Sequence, residues 1–279
     1  MFRILARGPF DQSAVTAQVE STSRPTDAEL ERRIDEIWQE RQLWARNSSR
    51  ILFDGPMLRL VSFVEHWCGP QNGLTLYLSS TSYREFAGTN LFGDEARARW
   101  PKSHLANPLA VSGIVVTADE KIVLGLRSDK VAFYPAYVHT FGGAIEPGDV
   151  QGGKTLFDAL RRELEEELAL DPAAQSRITC LGLAEDRTLL QPELLFSVHT
   201  LLDERSLRER ANSASSADEH QDLITIGALD SIDQESSVGT RRTEREHMKK
   251  HPPGSTRTES PPWTPIALAA ISLLASFEH

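Results

Sequence analysis

The most informative part of the sequence runs from Gly142 to Leu170 and reads GGAIEPGDVQGGKTLFDALRRELEEELAL. Its second half predicts a helix from about Thr155 to Leu168, because leucine recurs there at every fourth position. These leucines would form one buried stripe, and they are Leu156, Leu160, Leu164 and Leu168. The glycine-rich first half is typical of a loop that leads into the helix.

The same helix carries three glutamates on one side. Glu163, Glu166 and Glu167 stand at positions i, i+3 and i+4, so their carboxylates lie within about one helical turn of each other. Each like-charged pair at this spacing costs roughly a few tenths of a kcal/mol. A divalent cation would relieve the repulsion, and Mg²⁺ prefers carboxylate oxygens as ligands. A solvated acidic surface would show the same spacing, so both interpretations remain open at this point.

The composition excludes several classes of protein. The chain has 279 residues, of which 40% are hydrophobic, enough for a sizeable core in one or two domains. Its formal net charge of −10 argues against a protein that coats nucleic acid. No apolar run reaches the ~20 residues needed to span a membrane. The two cysteines, Cys68 and Cys180, cannot form a disulfide framework and are interpreted as buried apolar residues. We therefore expect a cytoplasmic protein that binds neither nucleic acid nor membranes; its oligomeric state is not predicted.

The first 105 residues are predicted to form a β-rich cap region with one helix. A helix is expected to start at Thr26-Asp27 and to run to about Arg46, because these residues are favourable caps and the following apolar residues recur with helical spacing. Alternating apolar residues and turn residues predict an antiparallel sheet after the helix. Its strands are expected at Ile51–Phe53, Met57–Val64 and Leu74–Ser79, with a turn at Asp54–Pro56.

Residues 106–235 are predicted to form a second unit of mixed α and β structure, which places the chain in the α+β class. A hairpin is expected from Leu109–Thr117 and Lys121–Arg127. Further strands are expected at Tyr137–Phe141, Ile178–Leu183, Leu194–Leu202 and Leu223–Ile226. Residues 236–262 are polar and lack apolar periodicity, which predicts a flexible loop, and residues 263–279 predict a C-terminal docking helix.

The glycine loop and the acidic helix together resemble the Nudix box, in which a GG-x-x-E-x-G loop precedes a helix with R-E-x-x-E-E. The matching residues are Gly142, Gly143, Glu146, Gly148, Arg162, Glu163, Glu166 and Glu167. Asp149 stands where the family usually has glutamate, and about five extra residues around Val150–Lys154 lengthen the loop. Ala169 replaces a usual glycine, which matters only if that position needs a positive φ. The resemblance implies a Nudix-like α/β/α sandwich.

Three further motifs lie upstream of this box. They are Leu52–Pro56 (LFDGP), Leu58–Leu60 (LRL) and Thr81–Asn90 (TSYREFAGTN). Together they resemble the Nudix subfamily that hydrolyses UDP-glucose and UDP-galactose, and the resemblance covers roughly residues 51–170. It implies hydrolysis of a UDP-sugar to UMP and a sugar 1-phosphate, with the β-rich N-terminal region supplying the nucleotide pocket. The expected partner is accordingly a small nucleotide sugar.

The resemblance also implies roles for individual residues. Glu163, Glu166 and Glu167 would hold Mg²⁺, or Mn²⁺ in its place. Arg162 would orient Glu163 and complete the candidate catalytic set, and Glu219 is a further candidate acid. The candidate substrate-binding residues are Phe53, Tyr83, Arg127, Ala132, His139, Ala144 and Glu146.

Three alternatives remain open. The chain could hydrolyse another nucleoside diphosphate conjugate, or it could be a nucleotide-binding module that kept the fold and lost catalysis. Gly148–Thr155 also fits the P-loop pattern GxxxxGK[ST]. A P-loop follows directly on a buried strand, whereas Glu146 and Pro147 precede this glycine, so the P-loop is the least favoured interpretation.

Overall fold

The structure, a computed structural model, describes residues 1–48, 50–68, 71–227 and 260–277. Residues 236–259 of the expected flexible loop lie outside the described residues, as does the side chain of Cys68. Cys180 is buried, as expected. None of the described helices is both long enough and apolar enough to cross a membrane.

Two sheets organise the described part of the chain. The larger has eight strands in the order β1–β9–β10–β5–β6–β11, with β7 paired to β6 and β8 paired to β5. Its strands are β1 (Phe2–Phe10), β5 (Ala110–Val116), β6 (Ile122–Arg127), β7 (Val138–His139), β8 (Phe141–Ala144), β9 (Gln175–Asp186), β10 (Gln191–Thr200) and β11 (His220–Ile226). The smaller sheet has the order β2–β4–β3, formed by β2 (Val15–Val19), β3 (Pro56–Cys68) and β4 (Gln71–Ser82).

Helices cover both faces of the larger sheet. The described α-helices are α1 (Ala28–Asn47), α2 (Tyr83–Phe86), α3 (Asp94–Arg99), α4 (Leu156–Leu168), α5 (Glu204–Ala211) and α6 (Pro265–Ala275), and α4 and α6 lie on opposite faces of this sheet. Alternate side chains of β5 point to opposite faces, so Val111 and Val115 share a core with the leucine stripe of α4, whereas Ile114 shares a core with α6. The α/β/α sandwich predicted for this part of the chain is confirmed.

The helix that carries the three glutamates begins where its sequence predicts. Thr155 is the N-cap of α4, and its backbone N–H and its hydroxyl both donate to the Asp158 carboxylate at 2.8 Å. The four leucines of the stripe are buried. The periodicity therefore determined both the extent of α4 and the face that it buries.

Several elements differ from the sequence predictions. Ile51–Phe53 is not a strand, and the prediction was wrong because these side chains face solvent, Ile51 being 95% exposed. The strand predicted at Tyr137–Phe141 is divided into β7 and β8, because β5 and β6 pair only near Val115 and then diverge, each taking its own short partner. The helix α5 was not predicted. The antiparallel pairing of β3 with β4 and of β5 with β6 is confirmed.

Candidate active site

Two glycines on β8 bring that strand close to the acidic face of α4. The backbone N–H of Gly142 donates to Glu167 Oε1 at 3.2 Å. A Cβ at Gly143 would lie 2.5 Å from Glu163 Oε1, and a Cβ at Gly142 would lie 2.0 Å from the Val111 carbonyl oxygen. Both positions therefore require glycine, and the absence of a side chain at Gly143 leaves room for the carboxylate of Glu163 against the strand.

Burial perturbs both of these carboxylates. Burial raises the pKa of Glu163 to about 8, although the guanidinium of Arg162 opposes the shift. Burial also raises the pKa of Glu167 well above its usual range, with repulsion from Glu219 as the next cause. The ionised forms are thus poorly compensated by the protein alone, which is the electrostatic setting that a bound cation would relieve.

Arg162 joins three carboxylates at the edge of this site. Its guanidinium donates to Asp149 at 3.1 and 3.3 Å and to Glu166 at 3.3 Å, and it forms an ion pair with Glu163 at 2.9 Å. Burial lowers the pKa of Arg162, but the neighbouring carboxylates outweigh it and the net shift is upward. The predicted contact between Arg162 and Glu163 is present in the structure.

Asp149 has a role that the sequence did not reveal. It is buried in a single helical turn, Pro147–Val150, and it accepts from the backbone N–H of Glu146 at 2.9 Å as well as from Arg162. Aspartate replaces the glutamate that is usual in the Nudix box, yet the shorter side chain still reaches the guanidinium.

The three glutamates do not converge on one point with their present side-chain positions. Among the residues that the structure describes, no group of three or more His, Cys, Asp or Glu side chains is placed to hold a metal ion. Glu163 and Glu167 lie against β8, whereas the side chain of Glu166 is 42% exposed and bound to Arg162. Carboxylate oxygens are nevertheless the ligand type that Mg²⁺ prefers, so the chemistry of the donor set fits this ion.

Arg127 lies close enough to Glu167 and Glu219 to interact with both electrostatically. It is buried at the end of β6, its guanidinium carbon lies 4.6 Å from the centre of the Phe133 ring, and its Nε has no hydrogen-bond partner among the described residues. Burial lowers the pKa of Arg127, while Glu167 and Glu219 raise it. The structure thus brings together Arg127, Glu167 and Glu219, which are far apart in sequence.

His220 was missed by the sequence analysis. Its Nε2 lies 2.8 Å from Glu167 Oε2, although the two residues are 53 positions apart. Burial lowers the pKa of His220 to about 4, with the positive charge of Arg127 as the next cause. No local spacing connects His220 with α4, so only the pairing of β11 with β6 reveals the contact.

The remaining predicted substrate contacts are more scattered. His139 is buried, and its Nδ1 lies 2.8 Å from the hydroxyl of Thr264 at the start of α6. Ala144 pairs with Ala110 in the sheet, whereas Ala132 and Glu146 are exposed. His139 thus contacts the N-cap residue of α6. The roles of these four residues in substrate binding stay predictions.

Two of the three upstream motifs, Leu52–Pro56 and Thr81–Asn90, are joined by hydrogen bonds from backbone N–H groups. The N–H of Tyr83 donates to the Gly55 carbonyl at 2.9 Å, and the N–H of Arg84 donates to the Asp54 carboxylate at 2.8 Å. Phe53 is 71% exposed, whereas Tyr83 packs edge-to-face against Trp38 with ring centres 6.1 Å apart. The loop that carries Phe53 is therefore anchored at the start of α2, next to Tyr83.

A second polar cluster lies on the sheet face opposite α4, and sequence reasoning did not find it. The Tyr134 hydroxyl donates to Asp186 at 2.7 Å, and the Ser112 hydroxyl donates to Glu193 at 3.1 Å. Burial, with repulsion from Asp186 as the next cause, raises the pKa of Glu193 to about 7. These residues come from three strands and a loop, so no sequence spacing marks them.

The P-loop interpretation receives no support from the loop geometry. Gly152 and Gly153 have φ values of +66° and +80°, and nothing lies within 4 Å of a Cβ built on either. Thr155, whose hydroxyl a P-loop would need for Mg²⁺, is bound to Asp158 as the cap of α4. The glycines serve an exposed turn in the lengthened loop.

Comparison with known protein families supports the interpretation of the fold and of the acidic helix α4. Residues 106–229 match the family model of the NUDIX domain. This range contains the glycine pair of β8, the helix α4 and the histidine of β11. The chain thus resembles the Nudix hydrolase superfamily, as its sequence motifs indicated.

The chain is also similar to individual proteins of this superfamily. The chain is 32% identical to "Uridine diphosphate glucose pyrophosphatase NUDT22" of Mus musculus over 177 residues, 56% of each chain. It is 32% identical to the Homo sapiens protein of the same name over 181 residues, 56% of this chain and 57% of the human one. "Nudix hydrolase 9" of Arabidopsis thaliana is 26% identical over 247 residues, 74% of each chain. The chain spans little more than half the length of the mouse and human relatives.

Proposed function

We propose that this protein hydrolyses the diphosphate of a UDP-sugar, UDP-glucose or UDP-galactose, to UMP and a sugar 1-phosphate. The observation that carries the proposal is the arrangement of Glu163 and Glu167 against the glycine pair of β8, with Arg127 close enough to Glu167 to interact with it electrostatically. Similarity to the proteins named uridine diphosphate glucose pyrophosphatase supports this choice of substrate.

Glu163, Glu166 and Glu167 would hold Mg²⁺, or Mn²⁺ in its place, with Glu219 close enough to Glu167 to perturb its pKa. The bound ion would offset negative charge on the phosphoryl oxygens and lower the pKa of a coordinated water. The protein itself contributes the buried carboxylates, the room that Gly143 leaves for Glu163, and the backbone N–H of Gly142 that donates to Glu167.

The surrounding residues would bind and orient the substrate. Arg127 carries a buried guanidinium whose Nε has no hydrogen-bond partner in the described part of the chain, which suits a diphosphate oxygen. Arg162 would hold Glu163 in place through their 2.9 Å ion pair. Phe53 and Tyr83 would offer aromatic surface to the uracil ring.

The test is identification of the products by ion-exchange chromatography after incubation with Mg²⁺ and one of four substrates: UDP-glucose, UDP-galactose, ADP-ribose or ATP. We expect UMP and sugar 1-phosphate from a UDP-sugar. Glu167→Gln should reduce turnover at least 100-fold, since it removes a carboxylate from the proposed ligand set while conserving the shape of the side chain.

The matched control is Lys154→Ala in the lengthened loop, which should keep full activity. Turnover of ADP-ribose alone would point to another nucleoside diphosphate conjugate as substrate. Absence of product from every substrate would favour the non-catalytic binding module, and phosphate release from ATP that depends on Lys154 would favour the P-loop.

A further inference from the structure

We propose that His220 is a positioning residue that fixes the carboxylate of Glu167 for metal binding. The proposal rests on the metal-dependent function proposed above, and it adds a residue on β11 that the Nudix box does not contain. It depends on four features of the structure: the contact itself, the packing of the ring, the state of its second nitrogen and an adjoining cavity.

With this contact, both carboxylate oxygens of Glu167 have a hydrogen-bond partner. Oε1 accepts from the backbone N–H of Gly142 at 3.2 Å, and Oε2 lies 2.8 Å from His220 Nε2. One partner belongs to β8 and the other to β11, so the carboxylate is held between two strands of the sheet. Rotation of the carboxylate would break both contacts. The remaining lone pairs of the two oxygens stay available to a cation.

The imidazole ring is itself fixed by its surroundings. It packs edge-to-face against Phe141, with ring centres 5.1 Å apart. On the neighbouring strand β6, a Cβ at Gly125 would lie 2.2 Å from His220 Nδ1, so that position accepts no side chain while the ring is there. The ring is therefore packed between Phe141 and the backbone of Gly125, and its Nε2 lies 2.8 Å from Glu167.

The contact at Nε2 indicates which ring nitrogen carries the proton. His220 Nδ1 is buried and has no hydrogen-bond partner among the described residues, whichever tautomer is present. An ionised carboxylate only accepts hydrogen bonds, so the tautomer with the proton on Nε2 is the one that donates to Glu167. Such donors to a metal-binding side chain typically hold it in its ligating orientation.

A cavity of about 280 Å³ adjoins the pair and offers an experimental approach to it. Glu167 and His220 both line this cavity, together with Arg208, Asn212 and Gln221. Its volume is several times the ~30 Å³ that one water occupies in the liquid. Removal of the His220 side chain would enlarge the space further, so that free imidazole could enter and occupy the place of the ring.

The test compares His220→Ala, His220→Gln and His220→Asn with the wild-type protein. Mn²⁺ binding without substrate is measured by electron paramagnetic resonance, and kcat and KM are measured with the UDP-sugar. We expect His220→Ala to weaken Mn²⁺ binding about 10–100-fold and to lower kcat with little change in KM. His220→Gln should retain most of the affinity, because its amide N–H₂ extends about as far as Nε2, whereas the shorter His220→Asn should not.

Imidazole added to His220→Ala should restore Mn²⁺ affinity and kcat, a result that a merely structural role would not produce. The matched control is His66→Ala, because His66 also makes a 2.8 Å side-chain hydrogen bond, to Thr75, but lies in the smaller sheet. It should bind Mn²⁺ like the wild type.

Wild-type Mn²⁺ affinity in His220→Ala would overturn the role of His220 alone. A loss that neither His220→Gln nor imidazole repairs would also overturn it, since the loss would then be structural. Absence of Mn²⁺ binding by the wild-type protein would overturn both this proposal and the proposed metal-dependent function.

Discussion

Ala169 ends the helix α4 in a conformation that alanine adopts at a cost. Its φ and ψ are +50° and +33°, in the left-handed region, and its N–H donates to the Glu165 carbonyl at 3.0 Å. Position 169 thus has a positive φ, which is the case in which replacing the usual glycine of the Nudix box matters. We predict that Ala169→Gly raises the free energy of unfolding by about 1 kcal/mol, because glycine has no Cβ to clash in this region.

Urea unfolding followed by circular dichroism would measure this change. The control is Ala173→Gly, an exposed alanine whose φ is not positive. There the added chain entropy of glycine should instead destabilise the protein by about 0.5–1 kcal/mol. A loss of stability in Ala169→Gly would show that the left-handed conformation carries no penalty here.

Glu193 should make stability depend on pH. Its pKa is raised from 4.5 in the unfolded chain to about 7 in the folded protein, chiefly by burial. Between these two values the native state binds more protons than the unfolded state, so the contribution of Glu193 to stability falls as pH rises from 4.5 to 7. We predict that Glu193→Gln stabilises the protein relative to wild type more at pH 8 than at pH 5. The effect of the substitution on the free energy of unfolding should differ between these two pH values by on the order of 2 kcal/mol.

Thermal unfolding of both proteins at pH 5 and pH 8 would test this prediction. Glu40→Gln, at an exposed position on α1, is the control and should change stability by less than about 0.5 kcal/mol at either pH. An equal effect of Glu193→Gln at both pH values would mean that Glu193 ionises normally in the folded protein.

At the scale of elements, α6 shows how a short apolar helix becomes part of the core. Thr264 caps its start by accepting from the N–H of Ala267 at 3.1 Å, and its leucines and isoleucines pack on the sheet face opposite α4. We predict that Leu273→Ala, at a fully buried position, costs about 2–5 kcal/mol of unfolding free energy. The exposed neighbour Ser272→Ala should cost nothing measurable in the same denaturation experiment.

A small effect of Leu273→Ala would indicate that α6 is loosely docked in solution. The prediction also bears on His139, because its ring is bound to Thr264, the cap of the same helix. Docking of α6 therefore links the C-terminal segment to the strand β7 beside the candidate site.

At the scale of the whole molecule, the N-terminal region and the Nudix-like region share a sheet. The strand β1 pairs with β9, and Phe10 at its end is buried in the core beneath α4. The division into a cap of residues 1–105 and a unit of residues 106–235 stays a prediction. We predict that a fragment of residues 106–279 does not fold cooperatively, because it lacks this strand and exposes the edge of β9.

A thermal scan and the binding of a dye for exposed apolar surface would test the fragment against the full chain. We expect no sharp transition and strong dye binding for the fragment. A cooperative transition with little dye binding would show that residues 106–279 form a core without β1.

The local patterns of the sequence anticipated much of the secondary structure. The leucine stripe predicted α4, Asp27 marked the start of α1, and Thr264 preceded α6 as expected. The misjudged segment Ile51–Phe53 is a short apolar run of the kind found in strands, but Ile51 and Phe53 face solvent, so apolar sequence without burial was misleading there. Local sequence also failed to mark α5, because a short polar helix has little apolar periodicity to detect.

The sequence alone determined the acidic helix, its buried stripe and the glycine pair, because these depend on the chemistry of residues near one another in the chain. The contact of Glu167 with His220, the electrostatic interaction of Glu167 with Arg127, and the pairing of β1 with β9 were decided only by the tertiary structure. The physical reason is that strand order brings distant residues together, whereas periodicity reports only on which face of its own element a residue lies.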